Sequence, residues 1–269
     1  MKKAVIIIAR NEGEWTYKTA HDFKKTMPDA QIIGIDDGGK NIWTDFVKVH
    51  KTKGGIGVGM CRRKGVELAD ADVICVTDGH VLHHRGDINK AWELAMQGYV
   101  VNSTTRSIVT GKEHGNGRRQ DLKTHVAKNV RVPEGFEVGL IGGIYFMRKD
   151  VALEVIAPTP NHGANEQIMT CAAFSLGHKI YTLPSLVFAH LYKKKFNYTV
   201  TGTQQQRNKR LLEWWFFGKL PPQTVNEIEK EYHGFIKEYR VLNAKQLTEK
   251  IDKMNKNLSK HNTLYKKKK

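Results

Sequence analysis

The feature that most constrains the fold is a regular alternation of short apolar runs with amphipathic segments. Residues 5–8, 31–35 and 72–77 are strand-length runs rich in β-branched residues, as in parallel strands buried on both faces. Residues 14–26 and 57–69, which separate these runs, are predicted to be helices. Because strands that alternate with helices build βαβ units, the sequence predicts an α/β fold with a mostly parallel central sheet.

The remainder of the chain continues this pattern as far as a proline pair. Further strands are predicted at 99–104, 140–147 and 180–189, and further helices at 87–97, 166–176 and 207–217. Residues 111–121 are polar and glycine-rich, which predicts a mobile loop. Pro221-Pro222 marks a boundary, so we expect a domain at 1–220 and a basic helical extension at 221–269, ending in the lysines 266–269.

The charge of the chain is unusual, with 44 Lys and Arg against 27 Asp and Glu and a formal net charge of +17. This excess favours a polyanionic partner, nucleic acid before an anionic membrane surface. The plainer alternative is a solubility feature combined with small anionic ligands. Three scattered cysteines do not form a disulfide framework, and no apolar run approaches membrane-spanning length. We therefore expect a cytoplasmic protein.

The third predicted strand ends in Asp78-Gly79-His80. In an extended backbone side chains two residues apart point the same way, so this carboxylate and imidazole can converge on a divalent ion such as Mn²⁺ or Mg²⁺. His190 closes another predicted strand, beside Lys193, and is the candidate third ligand. The alternative is a capping aspartate and a structural histidine.

Three other segments have a possible functional meaning and a plainer structural one. Asp36-Asp37-Gly38 could accept hydrogen bonds from a nucleoside, or could simply form a turn. Residues 53–57 could offer amides to phosphate, although the start of a helix is the better interpretation. Arg118-Arg119 could form a lid, contact the acceptor or belong to a solvated loop, and the aromatic run 214–217 is better explained as core than as a stacking platform.

Several of these motifs, taken in order, are similar to those of a known family. They are Ile8-Ala9-Arg10-Asn11-Glu12, Asp36-Asp37-Gly38, a helix with Arg62 and Gly65, Asp78-Gly79-His80, Gly142-Gly143-Ile144, Gly163-Ala164-Asn165-Glu166 and Ala189-His190-Leu191-Tyr192-Lys193, followed by Tyr198 and Arg207-Asn208. Over about residues 4–217 the chain resembles the catalytic domain of polypeptide N-acetylgalactosaminyltransferases, and more broadly the family-2-like GT-A transferases. The resemblance implies a GT-A (Rossmann-like) nucleotide-sugar-binding fold.

The resemblance also implies a metal-dependent, retaining transfer of a hexosyl or N-acetylhexosaminyl group from a UDP-sugar. It places Mn²⁺ or Mg²⁺ on Asp78, His80 and His190 and gives catalytic roles to Asp78, Asn165 and Glu166. The residues it assigns to the donor are Ala9, Arg10, Glu12, Asp36, Asp37, Arg62, Gly142, Gly143, Lys193 and Tyr198. Lys193 replaces an arginine of the family pattern, and the sugar motif has lost its tryptophan, so the sugar stays open.

The acceptor is predicted from charge and compartment, since no motif identifies it. A 5-hydroxymethylpyrimidine in DNA, such as hydroxymethylcytosine, offers a hydroxyl that a plain base lacks, so a viral or bacteriophage-type DNA glycosyltransferase is our leading hypothesis. The alternatives are a cytosolic protein Ser/Thr O-glycosyltransferase, an enzyme that modifies a lipid or surface polymer, and an inactive nucleic-acid-binding module on a transferase scaffold.

Overall fold

A mixed β-sheet forms the centre of the protein and carries the candidate site at one edge. The computed structural model describes residues 1–120, 127–159, 163–193, 202–217 and 244–267. The strands are β1 (Lys3–Ala9), β2 (Gln31–Asp36), β3 (Lys48–Lys51), β4 (Val73–Asp78), β5 (Val81–Arg85), β6 (Val100–Ser107), β7 (Glu113–Gly115), β8 (Gly117–Gln120), β9 (Ala127–Val130), β10 (Ile144–Arg148) and β11 (Ile180–His190). The helices are α1 (Glu14–Thr26), α2 (Val58–Leu68), α3 (Ile88–Met96), α4 (Lys149–Val155), α5 (Asn165–Ser175), α6 (Gly202–Phe217) and α7 (Ala244–Lys267).

The first half of the sheet is the parallel βαβ arrangement that the sequence predicts. Its strands lie in the order β3-β2-β1-β4, and every neighbouring pair is parallel. Ala9 pairs with Asp36, and Ile8 pairs with Asp78, so the carboxyl ends of β1, β2 and β4 meet at one edge. Ligands in open α/β sheets bind beyond this edge.

The second half of the sheet is mixed. The order continues β4-β10-β6-β11-β5, with β10 antiparallel to both of its neighbours, β11 parallel to β6 and β5 antiparallel to β11. His190, the last residue of β11, pairs with Ser107 on one side and with Val81 on the other. Because Val81 directly follows His80, this pairing brings two distant histidines to the same edge.

Helices cover both faces of the sheet. On one face α1 and α3 contribute Phe23 and Trp92 to a core shared with β1, β10 and β11. On the other face α2, α4, α5, α6 and α7 pack against the second core. Phe216 of α6 is buried there and Phe217 packs against the same core, as expected of core residues, whereas the side chains of Trp214 and Trp215 lie outside the described part of the run. None of the described helices is long and apolar enough to cross a membrane.

One segment differs from the sequence-based picture. Within 111–121 we predicted a mobile loop, but β7 pairs with β6, and β8 pairs with β9. The polar composition hid these strands because they are only three and four residues long. Helix α7, which falls within the predicted helical extension, buries Leu247, Ile251, Met254 and Leu258 in the core. Residues 218–243, where we placed the boundary, lie outside the described residues.

Candidate active site

Three side chains with metal-ligating atoms converge at the carboxyl edge of the sheet. Among the residues that the structure describes, Asp78, His80 and His190 form one such group, and their ligand atoms all lie within 4.8 Å of one another. Asp78 Oδ2 lies 3.5 Å from His190 Nε2, and the two imidazole rings are 4.8 Å apart between centroids. The sequence therefore predicted all three members of the cluster.

Backbone hydrogen bonds hold this cluster in place. The Asp78 amide donates to the Gly143 carbonyl at 3.0 Å, and the Gly79 amide donates to Ile8 at 2.8 Å. The Leu191 amide donates to the His80 carbonyl at 3.1 Å, which ties the end of β11 to the turn after β4. The cluster is thus carried by the ends of β4 and β11 and by the short hydrogen-bonded turn that holds His80.

Gly143 lets His190 approach the cluster. It has a φ of +110°, and a Cβ built on it would lie 2.9 Å from Cδ2 of the His190 ring. A residue with a side chain would be strained there and would push the imidazole away. Gly143 thus serves the geometry of a candidate metal ligand.

Burial and neighbouring charges set the ionisation of the candidate ligands. Burial by itself would raise the pKa of Asp78, but contact with His190 and the positive charge of Arg62 lower it below its usual value. Burial lowers the pKa of His190 despite its contact with Asp78. At neutral pH the cluster therefore presents a carboxylate and a neutral imidazole, the forms that bind metal.

Glu12 links the cluster to Lys193. One of its carboxylate oxygens lies 3.0 Å from His80 Nδ1, and the same oxygen accepts a hydrogen bond from the Lys193 ammonium. Burial would raise the pKa of Glu12, but His80 and Lys193 together lower it. A carboxylate on the far nitrogen of a histidine is the usual support of a metal-ligating imidazole, so Glu12 is placed to orient His80.

A second carboxylate, Glu166, collects three donors. It lies 3.2 Å from Arg62 Nη1 and 3.5 Å from Arg118 Nη1 and accepts a hydrogen bond from the Tyr145 hydroxyl at 3.0 Å. Arg62 also lies 3.5 Å from Asp78, so it joins the two acidic groups through one buried guanidinium. Burial raises the pKa of Tyr145 well above its usual value, so the phenol keeps the proton that it donates.

Asn165 begins α5 next to Glu166 and is almost fully buried. Its side-chain oxygen Oδ1 accepts hydrogen bonds from Thr159 Oγ1 at 2.9 Å and from Asn208 Nδ2 at 3.4 Å. Asn208 also donates to the Gly163 carbonyl at 2.9 Å. These bonds connect α6 to the start of α5, which carries Glu166, so Asn165 organises this side of the pocket.

The two aspartates after β2 differ in position. Asp37 lines the pocket, and its carboxylate accepts from Thr52 Oγ1 at 2.7 Å and from the amides of Ile56 and Gly57 at 2.9 and 3.2 Å. It therefore holds the glycine-rich segment 53–57 that leads into α2, which is the helix start that the sequence favoured. Asp36 does not line the pocket. Its carboxylate accepts from the Gly38 amide and from the side chains of Asn41 and Trp43.

Most of the predicted residues share one pocket. Those that line it are Ala9, Arg10, Glu12, Asp37, Arg62, Asp78, His80, Gly142, Gly143, Asn165, Glu166, His190 and Lys193. Tyr198 lies outside the described residues. Asp36 stands behind Asp37 in the turn. The structure thus brings both halves of the predicted site together, although the role of each residue remains a proposal.

Sequence reasoning missed several contributors. Tyr145 stands in a continuous apolar run, where it has the appearance of a core residue. Only the hydrogen bond from its hydroxyl to Glu166, seen in the structure, assigns it to the site. Cys61, Asn129 and Tyr192 also line the pocket. Arg118, for which lid, acceptor contact and solvated loop were all open, reaches Glu166 from β8. The sequence showed Arg118 as a basic residue in a glycine-rich segment, but nothing in its spacing along the chain predicts a contact with Glu166.

Comparison with known proteins assigns the fold to a family. The sequence profile described as glycosyl transferase family 2 matches residues 4–155, more than half of the chain. The chain belongs to glycosyl transferase family 2. Its α/β architecture is the GT-A type of this family, as predicted. No curated protein sequence matches the chain significantly.

Solved structures show the same fold at low sequence identity. GalNAc-T7, crystallised with UDP, GalNAc and Mn²⁺, superposes with a TM-score of 0.72 and 17% identity over 93% of this chain and 57% of that one. TarS residues 1–349 of S. aureus, in complex with UDP-GlcNAc, superposes with a TM-score of 0.58 and 13% identity, over 86% of this chain and 71% of the TarS chain. A further S. aureus TarS structure has a TM-score of 0.55 and 14% identity, over 86% of this chain and 43% of that one. The chain thus spans little more than half of the GalNAc-T7 chain.

Proposed function

We propose that this protein is a metal-dependent glycosyltransferase that moves a sugar from a UDP-sugar to a hydroxyl acceptor. The observation that carries the proposal is the convergence of Asp78, His80 and His190 in the pocket at the carboxyl edge of a family-2 domain. GalNAc-T7 binds UDP and Mn²⁺, and TarS binds UDP-GlcNAc, on the same fold. These neighbours support a UDP-sugar donor here.

The three side chains suit a divalent ion. They offer one carboxylate and two imidazoles within 4.8 Å, a donor set that fits Mn²⁺ and accommodates Mg²⁺ less well. Glu12 lies 3.0 Å from His80 Nδ1, where a carboxylate would orient a metal-ligating imidazole. An ion held there would supply positive charge to a diphosphate and so stabilise it as a leaving group.

Different sides of the pocket are assigned to the nucleoside, the diphosphate and the sugar of the donor. We assign the nucleoside to the side of the pocket lined by Ala9 and Asp37, and the sugar to the side lined by Asn165, Glu166 and Gly142. Arg62, between Asp78 and Glu166, adds a fixed positive charge where diphosphate and sugar would meet. Lys193, held by Glu12, adds a second positive charge beside the metal cluster.

Proton transfer in this proposal needs no dedicated base. The acidic side chains that line the pocket are already engaged: Glu12 by Lys193, Asp37 by backbone amides, Asp78 by Arg62 and Glu166 by two arginines and Tyr145. The leaving diphosphate itself would then accept the acceptor proton as the new bond forms. We propose retention of anomeric configuration for the transfer, on the family resemblance.

For the acceptor we propose the hydroxyl of a 5-hydroxymethylpyrimidine in DNA. The net charge of +17 supports a polyanion, and the β8–β9 hairpin places Arg118 in the pocket wall beside the exposed Arg119 and Lys128. A base would have to leave the helical stack to reach the pocket. A Ser/Thr hydroxyl of a protein is the competing acceptor that the assay below includes.

The test is UDP release in the presence of Mn²⁺. UDP-glucose, UDP-galactose, UDP-GlcNAc and UDP-GalNAc would each be paired with plain DNA, hydroxymethylated DNA or a Ser/Thr peptide mixture. We expect release above the donor-only rate with hydroxymethylated DNA and one preferred donor, and its loss in the Asp78→Asn variant. Release with peptide alone would overturn the DNA acceptor while keeping the transferase. No metal-dependent turnover of any donor would overturn the transferase itself.

A further inference from the structure

We propose that a partly exposed surface beside the pocket binds a single-stranded or flipped segment of nucleic acid. This surface comprises Arg85 of β5, Arg106 of β6, His114 of β7, Arg131 after β9 and Tyr192, and we call it the strand-edge surface. The arginines would hold backbone phosphates, and the His114–Tyr192 ring pair would stack a base. The inference rests on the proposed function, since it names the path by which a nucleic-acid acceptor reaches the site.

Positive charge accumulates on this surface around a single carboxylate. Arg85 lies 2.7 Å from Glu113, and Arg131 lies 3.7 Å from the same side chain while donating to its backbone carbonyl at 3.0 Å. The side chains of Arg85 and Arg131 are 56% and 63% exposed, so their remaining N–H groups face solvent. One carboxylate cannot neutralise two guanidinium groups, which leaves these three residues with a net positive charge.

Arg106 adds a third positive charge at the same edge. It donates to the Gly111 carbonyl at 2.7 Å and contacts the exposed His84 ring. Burial, followed by the charges of Arg106 and Arg85, lowers the pKa of His84 below its usual value. Such a concentration of positive charge suits phosphate oxygens.

A line of rings connects this surface to the metal cluster. The rings of His190 and Tyr192 are 4.3 Å apart between centroids, and those of Tyr192 and His114 are 4.2 Å apart. The Tyr192 hydroxyl donates to Thr105 Oγ1 at 2.6 Å, which fixes the ring at the pocket wall. His114 directly follows Glu113 in β7, so the ring pair and the arginine cluster are carried by the same short strand.

The combination of rings and arginines distinguishes nucleic acid from other polyanions. Base stacking on aromatic groups, together with a positively charged groove, is the general mode of single-strand binding. A phosphodiester polymer without bases would use the arginines and leave the ring pair unused. An acidic peptide would lack the regular spacing of phosphates. We therefore assign the surface to a nucleic-acid strand.

The test is the binding of a short fluorescein-labelled single-stranded DNA, followed by fluorescence anisotropy over a series of salt concentrations without donor or metal. We expect the Arg85→Ala/Arg131→Ala double variant to weaken binding about tenfold or more and to lower the log–log salt slope by about 1.4, or 0.7 per phosphate contact. Glu113→Gln should instead tighten binding, by about fivefold, because it removes a repulsive charge.

Two further variants separate charge from stacking. His114→Ala should weaken binding about tenfold with an unchanged salt slope, as expected for the loss of one stacked base. Arg148→Ala is the matched control, because Arg148 is also exposed and paired with a carboxylate but lies beside Val73, at the opposite end of β4 from Asp78. Its affinity and slope should equal those of the wild type.

Unchanged affinity and slope in the double variant would overturn the strand-edge surface. Unchanged DNA affinity in His114→Ala, with full competition by inorganic polyphosphate, would overturn the nucleic-acid assignment by showing that phosphates bind without bases. UDP release with Mn²⁺ is measured in parallel on the same preparations. Its absence in a wild-type protein that binds DNA through these residues would contradict the proposed transferase and leave the surface standing.

Discussion

Gly143→Ala tests the candidate metal site through the backbone, without removing a ligand. At φ +110° an alanine is strained by about 1–3 kcal/mol, which is roughly 3–9 °C in melting temperature for a domain of this size. The new Cβ would lie 2.9 Å from His190 Cδ2 and 3.4 Å from Nε2, so the ring must move by some tenths of an ångström.

That displacement matters because metal–ligand distances tolerate only about 0.2 Å. We expect Gly143→Ala to lower Mn²⁺ affinity at least about tenfold, which is the scale seen when the support of a ligand is lost. The assay is calorimetric titration with Mn²⁺, together with thermal unfolding followed by circular dichroism.

Gly142→Ala is the matched control for this prediction. Its φ is not in the left-handed region, and a Cβ there would meet nothing closer than 3.7 Å, at Arg118 and Glu166. Its Mn²⁺ affinity should equal that of the wild type, and its melting temperature should change by no more than about 2 °C. Wild-type Mn²⁺ affinity in Gly143→Ala would show that His190 is not a ligand.

Three other perturbations have defined outcomes. Asp78→Asn should abolish Mn²⁺-dependent UDP release without changing the far-UV circular dichroism spectrum, and residual activity at wild-type level would contradict its role. Glu12→Gln should weaken Mn²⁺ binding about 10- to 100-fold in calorimetry, because His80 loses its supporting carboxylate. An unchanged Kd for Mn²⁺ would show that Glu12 serves only to hold Lys193. Removal of residues 244–269 deletes four buried apolar side chains, each of which contributes about 2–5 kcal/mol; we expect an unfolded or aggregated product by circular dichroism, and a truncated chain that melts like the wild type would show that α7 is dispensable.

Local sequence patterns predicted the parallel half of the sheet well, for a physical reason. Helix α1 and strand β2 follow their predicted bounds to within one residue, because buried parallel strands and amphipathic helices carry their periodicity within a single segment. Asp78 and His80 end one such strand, and His190 ends another. Parallel strand ends meet at one edge whatever the loops do, so the cluster could be predicted before its geometry was known.

The rest depends on contacts that no local period encodes. Strand β10 lies antiparallel between β4 and β6, although a parallel order would satisfy the same apolar pattern. Tyr145 donates to Glu166 across 21 positions of sequence, and Arg62 reaches the same carboxylate across 104. Such pairs form only in the folded protein, so no local pattern connects them, and Arg62 and Glu166 entered the predicted site through the family resemblance alone.

The same reasoning explains why the acceptor was the weakest part of the sequence interpretation. A net charge of +17 is a property of the whole chain and does not indicate which part of the surface binds a partner. Within the part of the chain that the structure describes, one positively charged surface forms where Arg85 of β5 and Arg131, which follows β9, share Glu113 on the strand that also carries His114. The proposed donor residues follow from strand ends, whereas the proposed acceptor residues follow from the pairing of neighbouring strands. An acceptor hypothesis for this fold therefore has to be tested at β5 and β7 rather than by removing the lysine-rich α7, whose apolar face belongs to the core.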